Sequence, residues 1–372
     1  MSWILLSLAV TYLLLLAGIA HLWFHKKPFS PVAANAGNPF ISIVIPARNE
    51  EEELPRLLES IKGQQLSDNS YEIIVVDDHS TDRTAELARG FPKLKCISLT
   101  GTPGKNNKKR CIQAAIEASR GEIVLTTDAD CIWPDHLITT VKSYFREQSC
   151  DVLCGPVSVA SDQHPSFLHK FEQIDMAGMM LVTLAGIESH SFYLGNGAFL
   201  AYKKSGFLEV DPFRDNWQEA SGDDVFLTKA MAKAGKKVDF LKARDLIVQT
   251  QPNRSWQDFI QQRLRWSQKN KKLARSPGLS VAMGIPFVFC LCLILFSLLG
   301  PFFPQLWPSI LIAWGAKVAA DLLLFLTMRS FFSLKIKLWE AILLSPLHCL
   351  YIAAFGFAGL FHFSYEWKSV KV

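Results

Sequence analysis

The sequence has no glycine-rich phosphate loop. Neither G-x-x-x-x-G-K-[ST] nor G-x-G-x-x-G occurs in its 372 residues, which argues against a P-loop kinase and a dinucleotide-dependent dehydrogenase. Its eight cysteines show no metal-binding spacing, and there is no tandem repeat or low-complexity tract. Charge is sparse: 20% of residues are charged and 49% apolar, with a mean hydropathy of +0.17. That composition excludes a disordered chain, a collagen-like fibre and a small disulfide-stapled scaffold. A basic globular body is also missing. Of the net charge of +5, residues 1–27 carry +2, 28–253 carry −6, 254–276 carry +6 and 277–372 carry +3. Nucleic-acid binders place positive charge on the folded domain, so no nucleic-acid partner is expected.

What is present begins with long uncharged runs. Residues 3–24 contain no formal charge, and about 20 apolar residues cross the hydrocarbon layer as a helix. A cleaved signal peptide would want a basic start, a shorter apolar stretch and a small-residue cleavage site. The expectation is therefore a retained anchor over 1–27. Lys26 and Lys27 follow it, so the positive-inside rule puts the next domain in the cytoplasm. Residues 281–303, 306–328 and 341–363 read as further spans, within a C-terminal transmembrane region over 277–372. Lys317 and Asp321 in the third span are four apart and can neutralise each other. That couple reads either as structural or as the mark of a substrate path. Four spans would leave Lys368 and Lys371 outside, against the positive-inside rule, so one span is open to being re-entrant or interfacial. The cysteines of a cytoplasmic domain would be reduced packing residues.

Between the runs lies a globular body, expected over 41–253 behind a Pro/Ala/Asn/Gly-rich linker at 28–40. Strand patterns at 41–46, 72–76 and 122–127 alternate with helix patterns at 50–63, 81–90 and 107–120. This alternation predicts an α/β fold with a mainly parallel sheet. Ligands then bind beyond the carboxyl ends of the strands. Three polar clusters fall there: Pro46–Glu50, Asp77–Asp82 and Asp128-Ala129-Asp130. One such cluster alone is usually a helix cap, a role open to Ser80 or Thr81. Three on one rim exceed capping.

Two carboxylates near a strand end can hold Mg²⁺ or Mn²⁺ through oxygen. Such an ion can bridge a nucleotide diphosphate and neutralise it as it leaves. Ala220-Ser221-Gly222-Asp223-Asp224 precedes a helix pattern, so its carboxylates could cap that helix or accept a proton from an attacking hydroxyl. Gln262, Arg265 and Trp266 share one helical face. Arg265 can bind phosphate bidentately, and Trp266 offers a flat face to a sugar or base. The same segment, 254–276, reads equally as a basic amphipathic helix on anionic lipid, with Trp256, Phe259, Ile260, Leu264 and Leu273. Lys105 and Lys109 are either phosphate ligands or, by the plainer reading, solvated surface lysines.

Together ISIVIPARNEE, EIIVVDDHSTDRT, TTDAD, GNGAFLAYKKSGF, SGDD and QQRLRW resemble, in order and approximate spacing over about 41–270, the membrane-bound branch of the family 2 glycosyltransferases. The resemblance implies a GT-A, Rossmann-like nucleotide-sugar-binding domain. It also implies metal-dependent inverting transfer from a nucleotide sugar, usually a UDP-sugar, to a lipid or glycan acceptor. By resemblance, Asp78 contacts the base beside the turn holding Pro46, Arg48 and Glu50. Asp128 contacts ribose and diphosphate, and Asp130 the metal. Asp224 is the base, and Gln262, Arg265 and Trp266 close over diphosphate and acceptor. Gly195-Asn196-Gly197-Ala198 lines the acceptor side, or forms an ordinary turn. The Gly-Asp-Asp sequence, where many polymer synthases have Thr-Glu-Asp, leaves Asp223 as an alternative base. The expected function is sugar transfer to a lipid or lipid-linked hydroxyl at the cytoplasmic face of an inner or plasma membrane. A processive polysaccharide synthase is the first alternative, and a non-catalytic membrane scaffold a distant one.

Overall fold

The computed structural model describes residues 2–30, 39–64, 70–101, 107–161, 165–219, 221–268, 276–361, 366–367 and 370–371. Lys105, Ala220, Lys269, Lys271, Lys272, Leu273, Arg275, Lys368 and residues 31–38 of the expected linker lie outside them.

A seven-stranded sheet forms the centre. Its strands are β1 (Ile41–Ala47), β2 (Tyr71–Asp77), β3 (Leu94–Ser98), β4 (Ile123–Thr126), β6 (Val152–Cys154), β8 (Leu200–Lys203) and β9 (Val238–Phe240), in the order β3-β2-β1-β4-β8-β6-β9. β1 pairs in parallel with β2 and β4, so their carboxyl ends share one edge. β8 runs antiparallel to both β4 and β6. β1 (ISIVIPA) is buried along nearly its whole length because both of its faces are covered. On helix α2 (Leu54–Lys62), the buried residues Leu54, Leu57, Leu58 and Ile61 fall at i, i+3, i+4 and i+7. That spacing makes one stripe facing the sheet. A smaller sheet joins β5 (Cys131–Ile132), β10 (Val248–Thr250) and β7 (Val157–Val159), and brings Thr250 beside the end of β4. The sequence marks only β1, β2 and β4: strands of two or three residues carry no readable period, and β3 (LKCIS) and β8 (LAYK) each carry a lysine and no β-branched run.

Among the described residues four helices are long and apolar enough to cross a membrane: Ser2–His25, Pro277–Leu299, Pro304–Arg329 and Leu338–Ala358. A fifth long apolar helix, α6 (Phe167–Glu188), does not appear in the sequence reading. It is buried almost all round, as a helix between two layers must be, and it packs on the first and third membrane helices.

The first membrane helix is clamped to the globular body at its carboxyl end. Lys242 Nζ donates to the carbonyls of Trp23 (2.6 Å) and Lys26 (2.9 Å). Lys26 donates to Glu188 (2.8 Å) and Asp239 (2.5 Å). Phe29 stacks edge-on against Tyr144 at 4.7 Å, so residues 28–30 lie against the body. Burial alone would raise the Asp239 carboxyl. The Lys26 hydrogen bond and charge, then Tyr144 and the Phe240 amide, hold it below its ordinary value. A depressed carboxylate stabilises the fold above its unfolded pKa of about 4 and stops doing so as pH falls through its folded value. Asp239→Asn should therefore cost about 2–3 kcal/mol near neutral pH. Thermal unfolding in detergent should show the gap to wild type closing only below about pH 4.

Candidate active site

The three sequence clusters meet at the carboxyl edge of β2, β1 and β4. The β1 and β2 loops are latched to each other. Asn49, with φ 52°, donates its amide to Ser80 Oγ (3.0 Å) and accepts from the Thr81 amide (2.9 Å). The Glu50 amide donates to Thr84 Oγ1 (2.7 Å). Ser80 and Thr81 thus tie two loops together and do not cap helix α3 (Thr84–Gly90), whose N-cap is Arg83 without a side-chain bond. Asp78 is 4% exposed. It accepts from Asn107 Nδ2 (2.5 Å), lies 2.9 Å from His79 Nδ1, and is 3.7 Å from the Arg48 guanidinium.

Asp128 and Asp130 follow β4. Lys108 Nζ lies 2.7 Å from Asp128 Oδ1 and 3.5 Å from Asp223 Oδ2. Burial disfavours its ammonium, but the charges of Asp128, Asp223 and Asp224 outweigh this and raise its pKa well above the ordinary lysine value. Asp130 accepts from Thr250 Oγ1 at 3.1 Å. The sequence reading overlooked Lys108 and mistook its neighbour. Lys109 is 1% exposed and donates to the carbonyls of Asn216 and Glu219, so it is neither a surface lysine nor placed on the carboxylates.

Helix α8 (Asp223–Lys233) starts at the same rim after Gly222, whose φ of 94° suits glycine. The N-cap position is thus held by Gly222, not by Ser221 or Asp223. Asp224 Oδ1 accepts from the Val225 amide (2.8 Å) and Oδ2 from the Gly197 amide (3.2 Å). Asn196 Oδ1 accepts from the Ala198 amide at 3.0 Å. A Cβ added at Gly195 would lie 2.5 Å from Thr228 Oγ1 and 2.7 Å from the Asp224 carbonyl. Gly195→Ala must therefore shift the start of α8 and, with it, Asp224. A misplacement near 1 Å costs about 10²-fold in rate, and steady-state kinetics on Gly195→Ala should show a loss of that order in kcat.

The helix α9 (Trp256–Gln268) brings Gln262, Arg265 and Trp266 to the same site. Gln262 accepts from Arg263 (2.7 Å) and Asn253 (3.1 Å). Arg263, which the sequence reading passed over, is 2% exposed. It donates to Asp175 (2.6 Å) and lies 4.1 Å from the Trp266 ring centre and 4.6 Å from that of Phe259. Arg263 thus ties α9 to α6, beside the ring contacts of Phe171 with Trp256 and Phe259. No sequence signal separates it from the other cations of 254–276.

A cavity of ≈ 810 Å³ joins these parts. Arg48, Lys108, Asp128, Asp130, Asp223 and Asp224 line its polar end. Gly195, Asn196, Gln262, Arg265 and Trp266 also line it. Pro46, Glu50 and Asp78 lie outside its lining. The other end enters the membrane helices, reaching Tyr12, Asp321 and His348. Lys317 and Asp321 are hydrogen-bonded to each other, so the intramembrane couple is both paired and, through Asp321, on the cavity wall. All eight cysteines are free.

Comparison with known proteins points one way. The model of Glycosyl transferase family 2 matches residues 42–190, and that of Glycosyl transferase family group 2 matches 123–358. A dolichyl-phosphate beta-glucosyltransferase of Trichomonas vaginalis is 31% identical over 173 residues, covering 44% of this chain and 53% of that protein. A beta-monoglucosyldiacylglycerol synthase of Nostoc is 33% identical over 117 residues, covering 30% of this chain and 24% of that protein. The chain thus spans about half, or less, of the length of these relatives. A mannosyltransferase of Pyrobaculum calidifontis, solved with GDP-Man and Mn²⁺, shares the fold at a TM-score of 0.56 and 19% identity, over 92% of this chain and 97% of that one.

Proposed function

We propose, because this chain belongs to the family 2 glycosyltransferases, that it transfers one sugar from a nucleotide-sugar donor to the hydroxyl of a lipid or lipid-linked acceptor. The chain is a membrane protein with a GT-A fold. The observation that carries the reading is the single cavity that starts at Asp128, Asp130 and Asp224 and ends among membrane helices. A water-soluble acceptor would need no apolar limb.

The donor diphosphate is assigned to the rim beside Asp128 and Asp130, with Arg48 and Arg265 as its cationic partners. UDP is the preferred nucleotide on the motif set. Asp78 is assigned to the base, beside the turn of Pro46 and Glu50. The residues present fit a divalent ion. The donor set is oxygen only, which suits Mg²⁺ or Mn²⁺, and Asp128 already attracts the Lys108 ammonium. Among the described residues no group of three His, Cys, Asp or Glu side chains gathers to hold a metal, so Asp130 would hold the ion together with diphosphate oxygens. Such an ion, when bound, supplies charge neutralisation to the leaving diphosphate.

The acceptor hydroxyl oxygen forms a bond to the anomeric carbon. The bond from that carbon to the diphosphate breaks, and its electron pair leaves with the diphosphate. Asp224 takes the hydroxyl proton. One displacement from the opposite face inverts the anomeric centre. Asp224 is preferred over Asp223 because two backbone amides orient its carboxylate towards the cavity, whereas Asp223 is 5% exposed and faces Lys108. Asn196 and Trp266 flank the acceptor path. The catalytic side is assigned to the cytoplasm of an inner or plasma membrane, since Lys26 and Lys27 end the first helix on that side. The test is a donor panel given to the purified protein with membrane lipid extract and read by mass spectrometry. A single-sugar lipid is expected. A long polymer would favour a processive synthase instead.

A further inference from the structure

Inside the membrane region Asp321 is the hub of a polar cluster. Tyr12 donates to its Oδ1 at 2.9 Å, and Ser345 donates to its Oδ2 at 2.5 Å. Lys317, fully buried, also donates to Oδ2. These bonds fill the carboxylate and neutralise its charge within the protein, and they tie three membrane helices together. His348 differs from the rest. Its Nδ1 lies 3.4 Å from the Lys317 ammonium and 3.6 Å from Asp321 Oδ2. Nδ1 is within hydrogen-bond reach of the ammonium but not of the carboxylate, and an ammonium only donates; this geometry assigns the lone pair to Nδ1 and the proton to Nε2. Among the described residues Nε2 has no hydrogen-bond partner, and the side chain is 30% exposed, on the cavity wall. The ring is held between Phe171 (6.3 Å) and Tyr351 (6.0 Å), so its direction is set.

An N–H covered by hydrocarbon alone is costly. The occupant of this limb should therefore bring an oxygen to Nε2. We infer that the acceptor is a hydroxy-lipid with a carbonyl near its hydroxyl, as in a diacylglycerol or a ceramide, and that His348 Nε2 donates to that carbonyl. A polyprenyl phosphate has only hydrocarbon beyond its phosphate and leaves His348 unsatisfied. His348 is thus a specificity-determining residue for the acceptor. The inference rests on the proposed lipid glycosyltransferase activity and deepens it.

The test uses the full chain in detergent with UDP-glucose, UDP-galactose and GDP-mannose as donors. Dioleoylglycerol, ceramide and undecaprenyl phosphate are the acceptors, and products are read by mass spectrometry. Transfer to dioleoylglycerol or ceramide is expected. Losing one hydrogen bond, His348→Phe should raise the KM for that acceptor about tenfold with kcat changed by less than about twofold. His348→Gln, which keeps a donor near the Nε2 position, should recover most of the loss. Transfer to undecaprenyl phosphate alone would overturn the inference and leave lipid transfer standing. Equal losses in the Phe and Gln variants with every acceptor would also overturn it. No lipid product with any donor would remove the activity on which it rests. Native mass spectrometry of the wild-type protein is independent of the variants. A co-purified diacylglycerol or ceramide mass supports the inference, and a polyprenyl phosphate mass alone overturns it.

Discussion

Asp224→Asn should bind the donor nearly as wild type does and lose transfer by between about 10² and 10⁴-fold in kcat. The amide is the same size, and its oxygen can still accept from the Gly197 or Val225 amide, so the loop is expected to stay in place. It cannot take a proton from a hydroxyl. Calorimetric titration with UDP or the intact donor separates the two effects from steady-state rates. Unchanged binding with lost turnover supports the base role. Weakened donor binding would move Asp224 to the donor side and return Asp223 as the base. Product stereochemistry by NMR is a second check, since a single displacement yields the inverted anomer.

Asp130→Ala should lose activity by about 10²–10³-fold, the scale of removing metal-assisted charge neutralisation worth several kcal/mol. Its donor affinity should fall too, and excess Mn²⁺ should recover part of the rate. EDTA should silence wild type, and Mg²⁺ or Mn²⁺ should restore it. In the folded protein Asp130 accepts from the Thr250 hydroxyl, while Asp128 holds the Lys108 ammonium. The two carboxylates therefore start from different states, and Asp130→Ala should change the metal dependence more than Asp128→Asn does. Equal metal titration curves for wild type and Asp130→Ala would assign the ion elsewhere.

Much of this site was legible in the chain. The β1, β2 and β4 patterns place three polar clusters at strand ends, and parallel pairing carries them to one edge. The QxxRW face was legible because Gln262, Arg265 and Trp266 differ by three and four positions on a helix. Other parts left no local trace. Lys108 and Lys109 are neighbours in one lysine pair, yet one sits on the carboxylates and the other under the Asn216 and Glu219 carbonyls. Only the direction of α4 (Asn107–Ala118) against the sheet separates them. Ser80 and Thr81 carry cap-forming side chains, but both bond to Asn49 in another loop: Ser80 Oγ accepts its amide, and the Thr81 amide donates to its Oδ1.

By itself the sequence determined the class of fold, the membrane segments and the acidic rim, because each depends on local pattern: strand period, an uncharged run, a motif at fixed spacing. The tertiary structure alone decided which cations face those carboxylates, which helix lies beneath the sheet, and that the cavity continues into the membrane. Those outcomes join residues far apart in the chain, Tyr12 with Asp321 across 309 positions and Arg263 with Asp175 across 88. Burial forces such polar groups to find partners, but the chain's path, and not its local pattern, decides which partners are within reach.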